Sequence, residues 1–369
     1  MIMLFLLAIF IILRQLLPLG KLIQDFPLND FSVYRDGVAT TIRGENPYTQ
    51  WFFDRYNYSP AATILFLPIH YLPVDIAEFV FTALSLTALW FTLTYILYSM
   101  RVKLSLTFKV FLYALLVKMY PAKLTLVLGQ VNLLVLFLII ASFYLHTQKR
   151  IWLSGISLGL ATIIKLHPVF LFVFFFFKKS NSIIITGMAT IVVLHLAAVA
   201  LFGWPLTVHY YSSVIPELLS KTSQTSVNAT YMNQSLTAFL ARFGVFGVTA
   251  TLIRYITSGG LLIWLLAHFP KSPLKQFSWY SLLLIVTTLI APVFVWQHHF
   301  VFLIPAWLVL VAQRKVLLAA GTYLLLILYF RNPNLPIQQH PLIATHFLVI
   351  AIGLSLILLA DLAPLRRQS

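Results

Sequence analysis

The chain contains no cysteine, and its 369 residues include only nine acidic side chains against 25 basic ones. Without cysteine there are no disulfides, no thiolate metal sites and no cysteine nucleophile. Charge of either sign is scarce, at 9% of residues against 60% hydrophobic, and the mean hydropathy is +0.93. That balance excludes an ordinary soluble domain. The composition predicts an all-α polytopic membrane protein, a helical bundle of about 11–13 transmembrane helices at roughly 20 residues each. A single integral membrane domain over 1–369 is expected, with no room for a soluble catalytic domain.

The N-terminal run Met1 to Leu19 lacks a basic leader and a small-residue cleavage site and contains Arg14, so it is expected to remain as the first span. Further apolar runs lie near 74–99, 105–120, 126–147, 151–166, 168–177, 182–203, 237–267, 278–295, 299–313, 315–330 and 342–361, with a short one at 61–72. The net charge of +16 would raise the question of nucleic acid in a soluble protein. Here the cations fall in short clusters between apolar runs: Arg101 with Lys103, Lys149 with Arg150, Lys178 with Lys179, Lys271 with Lys275, Arg314 with Lys315, and Arg366 with Arg367. Such clusters orient a protein in a cell membrane, so both termini are expected in the cytoplasm and no nucleic-acid partner is expected. The long first loop, 20–60, the second, 204–234, and the Trp296-Gln297-His298-His299 stretch then face outward. Gln130, Asn132 and Lys165 fall near the outer ends of their helices.

Five of the nine acids, Asp25, Asp30, Asp36, Glu45 and Asp54, crowd into the first loop. An outward carboxylate beside the bilayer, with lysine, histidine and amide groups on the same face, suits glycosyl transfer from a lipid-linked donor. A carboxylate can take the proton from an attacking hydroxyl. Cations can steady the departing phosphate as its charge grows.

Seven short motifs occur in one order: Asp30-Phe31-Ser32-Val33-Tyr34, Asn46-Pro47-Tyr48 after Gly44, Tyr58-Ser59-Pro60 leading to Leu67-Pro68, Gly129-Gln130-Val131-Asn132, Lys165-Leu166-His167-Pro168, Asn233-Gln234-Ser235-Leu236 and His298-His299-Phe300. In these the chain resembles glycosyltransferase family 87, the polyprenyl-phosphate-mannose-dependent mannosyltransferases of the GT-C superfamily. The resemblance implies inverting transfer of mannose or a related sugar from a polyprenyl-phosphate sugar donor to a lipid or glycan acceptor, amid membrane lipids, with no cofactor and no obligatory metal. It implies a catalytic aspartate in the first outer loop, here Asp30. The chain departs from the family at Ser59-Pro60-Ala61, where two prolines are more common, and at Asn29, which leaves Asp30 without an acidic neighbour.

Each assignment has a plainer alternative. Asp30 can be a helix cap, or a carboxylate held by Arg35 or Arg43, with Asp25 the reserve base. Lys165 is a donor-phosphate candidate because a lysine at mid-bilayer costs about 2.5–3.5 kcal/mol; otherwise it snorkels to the headgroups. His298 and His299 are phosphate or sugar contacts, His299 preferred for depth, or ordinary interfacial residues. Neighbouring histidines on a helix point about 100° apart, which disfavours one metal between them. Gln130, Asn132, Asn233 and Gln234 either bond sugar hydroxyls or join helices. Tyr34, Tyr48, Tyr58 and Trp51 line a sugar or acceptor site or form an aromatic belt. The rival functions are a transporter or flippase for lipid-linked sugars, and an outer-leaflet glycan ligase. The first loop has no counterpart in the second half, which argues against an internally repeated transporter.

Overall fold

The computed structural model describes residues 2–25, 29–49, 56–221, 233–292, 294–328 and 340–363. Among them every regular element is a helix, apart from one isolated bridge between Asn233 and Trp296. Val74–Ser99, Asn181–Phe202 and Gly247–Ala267 are long and apolar enough to cross a membrane. Leu106–Lys118 and Tyr120–Leu128 form a further apolar pair bent by 68°. Other apolar helices are 10–17 residues long. Exposed Phe79, Leu196 and Ile256 on the three long helices give those surfaces the apolar character that lipid requires. The chain is an all-helical polytopic membrane protein.

The expected single domain divides into two compact units. The first comprises 1–95, 104–118 and 122–221, the second 96–103, 119–121 and 222–369. The helices of the first are α1 (Ile2–Asp25), α2 (Asn29–Ile42), α3 (Pro60–His70), α4 (Val74–Ser99), α5 (Leu106–Lys118), α6 (Tyr120–Leu128), α7 (Asn132–Thr147), α8 (Ile151–Ile164), α9 (Phe172–Phe177), α10 (Asn181–Phe202), α11 (Trp204–His209) and α12 (Ile215–Lys221), the last residues of α4 and the first of α6 belonging to the second unit.

Helix α8 is the spine of this unit. It packs on α7, where Ser154 Oγ donates to the Ser142 carbonyl at 2.8 Å, and on α10. Gly155 and Gly159 lie one turn apart on the α10 side; a Cβ on Gly159 would stand 2.7 Å from the Gly187 carbonyl, and one on Gly155 2.6 Å from that of Ile183. Small residues at this spacing let two apolar helices meet backbone to backbone, the usual device where lipid removes the hydrophobic drive.

The segment read as the first outer loop is largely helical. Phe31, Tyr34, Val38 and Thr41 recur at helical spacing and are buried, while Ser32 and Asp36 are exposed, so α2 turns one stripe inward against α3. Its low mean hydropathy disguises that stripe as loop. The second loop similarly holds α11, a π turn over Tyr210–Val214, and α12.

The second unit contains α13 (Leu236–Arg242), α14 (Gly247–Ala267), α15 (Pro273–Ile285) running into a π turn at Val286–Ile290, a 3-10 helix at Gln297–Leu303 leading to α16 (Ile304–Ala312), α17 (Val316–Ile327), α18 (Pro341–Ala344) and α19 (His346–Leu362). The expected continuous span 237–267 is broken instead. Gly244 at φ +78° closes α13, with the Val245 N–H donating to the Leu240 carbonyl, and Gly247 at φ +62° opens α14. Two glycines in left-handed backbone so close together end a helix that hydropathy alone reads as uninterrupted.

Candidate active site

Asp30 lies in the first turn of α2, half-buried, where the positive end of the helix dipole favours a carboxylate. Neither arginine proposed as its holder pairs with it in the contacts seen: Arg43 is bonded to Glu45 at 2.9 Å, and Arg35 donates to the Leu72 carbonyl at 3.1 Å. The Asp30 charge acts instead on Tyr34, Tyr58 and Lys165.

One turn along α2, the Tyr34 hydroxyl donates to Gln130 Oε1 at 3.0 Å and lies 3.1 Å from the Tyr58 hydroxyl. Because the single Tyr34 proton goes to Gln130, Tyr58 is the donor in the second bond. The Tyr34 ring stacks on Phe66 at 4.9 Å between centroids and meets Tyr58 edge-on at 5.0 Å. Burial, aided by the Asp30 charge, raises the pKa of both tyrosines, so both hydroxyls keep their protons.

Local backbone chemistry explains why motif residues arrive here. Gly129, at φ +66°, closes α6, and the Gln130 N–H donates to the Thr125 carbonyl, a turn that swings the Gln130 side chain out to Tyr34. Asn132, fully buried, starts α7. Ser59 caps α3 by accepting the Ala62 N–H at 3.2 Å, with Pro60 in the first turn. At the far end of α8, Lys165 is extended at φ −139°, ψ 134°, and Pro168 opens the 3-10 helix His167–Leu171. Pro168 has no N–H to donate to the Ile164 carbonyl four residues back, so α8 ends there and the chain breaks beside the lysine. Lys165 is half-buried and Leu166, beside it, is 64% exposed.

Two of the three tyrosine candidates are covered within this unit. Tyr48 is 4% exposed, its ring packed against Tyr56 and Tyr210 and its hydroxyl donating to the Tyr58 carbonyl at 2.9 Å, so it supports Tyr58 rather than offering a stacking face. Tyr34 is equally covered at 1%. Tyr58, half-buried, is the member of the trio with accessible surface. Gly37 was not singled out by its sequence, yet a Cβ there would stand 2.2 Å from the Tyr56 ring, so Tyr56 lies directly on the α2 backbone. The side chain of Asp25, together with Trp51, lies outside the described residues.

The other candidates belong to the second unit. Asn233 and Gln234 are fully buried and serve as a clasp. Asn233 Oδ1 accepts the N–H groups of Ser235 and Val295 at 3.1 and 3.2 Å. Gln234 N donates to the Val295 carbonyl at 2.7 Å, and its Nε2 donates to that of Ala344 at 2.7 Å. These amides join chain segments, in keeping with the second of the two roles the sequence left open for them. His299 Nδ1 accepts the Trp296 N–H at 2.9 Å, fixing the ring's neutral proton on Nε2. His298, at 6% exposure, is the deeper of the pair, the reverse of expectation, because the 3-10 helix turns His298 inward and leaves His299 half-buried. Among the described residues no three His, Asp or Glu side chains converge as a ligand set.

Fold and site define a multi-pass membrane protein with one charged, tyrosine-lined corner in its first unit. Residues 56–292 match the family model of Glycosyltransferase family 87, and the chain belongs to that family. It is 26% identical over 311 residues, 76% of this chain and 69% of the relative, to a polyprenol-phosphate-mannose-dependent alpha-(1-2)-phosphatidylinositol mannoside mannosyltransferase of Mycolicibacterium smegmatis. It is 28% identical over 198 residues, 52% of this chain and 46% of the relative, to an alpha-(1->3)-arabinofuranosyltransferase of Corynebacterium glutamicum, of whose length it thus spans less than half. The protein is a membrane glycosyltransferase, which answers the transporter reading. The family match includes Tyr58, Gln130 and Lys165 but begins after Asp30 and ends before His298.

Proposed function

We propose that this glycosyltransferase moves a sugar, mannose in the first instance, from a polyprenyl-phosphate donor to a hydroxyl of a lipid or glycan acceptor on the extracytoplasmic face of the cell membrane, with both termini cytoplasmic. Asp30 takes the proton from the acceptor hydroxyl as that oxygen bonds to the anomeric carbon. The bond from that carbon to the phosphate oxygen breaks on the opposite side, its electron pair leaves with the polyprenyl phosphate, and the anomeric configuration inverts. Lys165 offsets the charge growing on the phosphate. Tyr58 contacts sugar or acceptor, with Tyr34, Tyr48, Gln130 and Asn132 fixing its position. His298 and His299 are assigned to the donor phosphate.

The observation carrying this reading is that Tyr34, one turn from Asp30 on α2, bonds Tyr58 and Gln130 from two other segments of the same unit, in which the Asp30 charge also acts on Lys165 at the end of α8. A base and a leaving-group cation must both reach one bound donor. The M. smegmatis relative's dependence on polyprenol-phosphate-mannose supports the donor class, and the positive-inside clusters support the face.

The test is transfer from polyprenyl-phosphate mannose by membranes carrying Asp30→Asn, against the parent and against polyprenyl-phosphate arabinose as donor. A loss of at least about 10²-fold is expected for the variant with an unchanged donor KM. Full turnover by Asp30→Asn rejects the base; preference for arabinose revises the sugar alone.

A further inference from the structure

Arg254 stands in the N-terminal half of α14, an apolar 21-residue helix, and is 8% exposed. Its Nη1 donates to the Ala291 carbonyl, and its guanidinium lies over the Tyr255 ring, 4.2 Å from the centroid. Its Nε is buried with no hydrogen-bond partner. Among the described residues, its own unit offers no unpaired carboxylate side chain to neutralise it. The acid of that unit is Asp361, whose oxygens accept from Lys315 Nζ at 2.6 and 2.7 Å. A neutral carbonyl and an aromatic face compensate a buried guanidinium only in part.

A second orphan donor lies six residues beyond Ala291. Gln297 begins the 3-10 helix, 3% exposed with a buried, unpartnered Nε2. Helix α14 packs on the π turn 286–290, and that turn packs on the 3-10 helix. Donors without acceptors, one of them charged, are the complement of an anion's oxygens. Beside Arg254, Tyr255 and Ile256 are 60% and 72% exposed, apolar surface that opens to lipid.

We propose that Arg254 and Gln297 bind the phosphate of a membrane lipid at this turn. The ligand is a phosphate ester carried on a hydrocarbon tail, and a prenyl phosphate and a phospholipid headgroup share that chemistry. The site holds whether or not Asp30 is the base.

The experiment uses the full chain in alkyl-maltoside micelles, which hold no phosphate, without sugar donor or acceptor, so loss of transfer does not enter the readout. Geranylgeranyl phosphate, phosphatidylglycerol and inorganic phosphate are titrated separately, and thermal stabilisation and intrinsic tryptophan fluorescence report binding. Saturable binding of at least one is expected, weakened roughly tenfold in Arg254→Met, less in Arg254→Lys, and severalfold in Gln297→Leu. Selectivity for geranylgeranyl phosphate identifies a prenyl-lipid site and equal binding of phosphatidylglycerol a site for phospholipid as well; binding of inorganic phosphate alone, with neither lipid, overturns the lipid assignment. No saturable binding by the parent overturns the proposal, as does unchanged affinity in Arg254→Met. Should Arg254→Met fail to fold, parent-like affinity in both Arg254→Lys and Gln297→Leu overturns it equally.

Discussion

Eight of the nine acids, Asp25, Asp30, Asp36, Glu45, Asp54, Asp75, Glu78 and Glu217, lie in the first unit, whereas the second has Asp361 alone. Each unit brings an aspartate and a lysine under mutual influence. In the second, Lys315 and Asp361 bond directly at 2.6 Å and satisfy one another. In the first, the Asp30 charge acts on Lys165 in a corner that also holds two protonated tyrosines and an amide. The contrast teaches that charge pairing by itself does not mark a catalytic centre. On the proposed reading, what separates the two is whether the groups around the pair are arranged to receive a substrate or only to close a helix junction.

The sharpest way to break that comparison, after Asp30→Asn, is Lys165→Met. With the leaving phosphate left without its cation, kcat/KM for the donor is expected to fall at least about tenfold, partly restored in Lys165→Arg. A parent-like value in Lys165→Met would reduce the first unit's pair to the status of the second's.

The sequence made much of this corner legible, though unevenly. Asp30, Tyr34, Gln130 and Lys165 stood out because polar residues are conspicuous among apolar neighbours, and the structure joins them in one unit. Asn233 and Gln234 stood out for the same reason but left sugar contact and helix joining both open, since a short polar motif looks alike whether its hydrogen bonds go to a sugar or, as those seen here do, to Val295 and Ala344. Helix α2 was missed because its buried stripe is four residues in a segment of low hydropathy. The break at Gly244 was missed because hydropathy averages over backbone conformation. Arg254 was hidden inside an apolar run, and the overlooked signal was the presence of any arginine there.

Gly159→Val tests whether the corner depends on how α8 is held. The new side chain would collide with the Gly187 carbonyl and Thr190, and overpacking at such a contact costs about 1–3 kcal/mol. A lower melting temperature together with reduced transfer per folded molecule is expected, because Lys165 ends the displaced helix. Lower stability with unaltered specific activity would show that Lys165 is positioned independently of α8.

Tyr34→Phe is expected to be milder, costing about 1 kcal/mol for the lost bond to Gln130 and a few-fold in kcat as Tyr58 loosens. The tyrosines add a pH signature. Their folded pKa values lie above the ordinary 10.0, so the stability they contribute is present below pH 10 and declines as pH rises beyond it. A thermal-shift series should therefore show the parent losing stability above pH 10 more steeply than Tyr34→Phe. Coincident curves would dissociate the pair from the alkaline transition.

The smallest effect is expected in the second unit, where Lys315→Met and Asp361→Asn separate a pair whose side chains are 30% and 23% exposed. Solvent screens such a pair, so each substitution should cost about 1 kcal/mol or less. Transfer kinetics per folded molecule should match the parent, because neither group has been assigned to substrate. The double variant should be no less stable than the worse single one, since removing both partners leaves no uncompensated charge. Were Asp361→Asn instead to depress transfer as far as Asp30→Asn, the acid poor in neighbours and the acid rich in them would be functionally equivalent, and the surroundings of Asp30 would lose their claim to mark the reacting carboxylate.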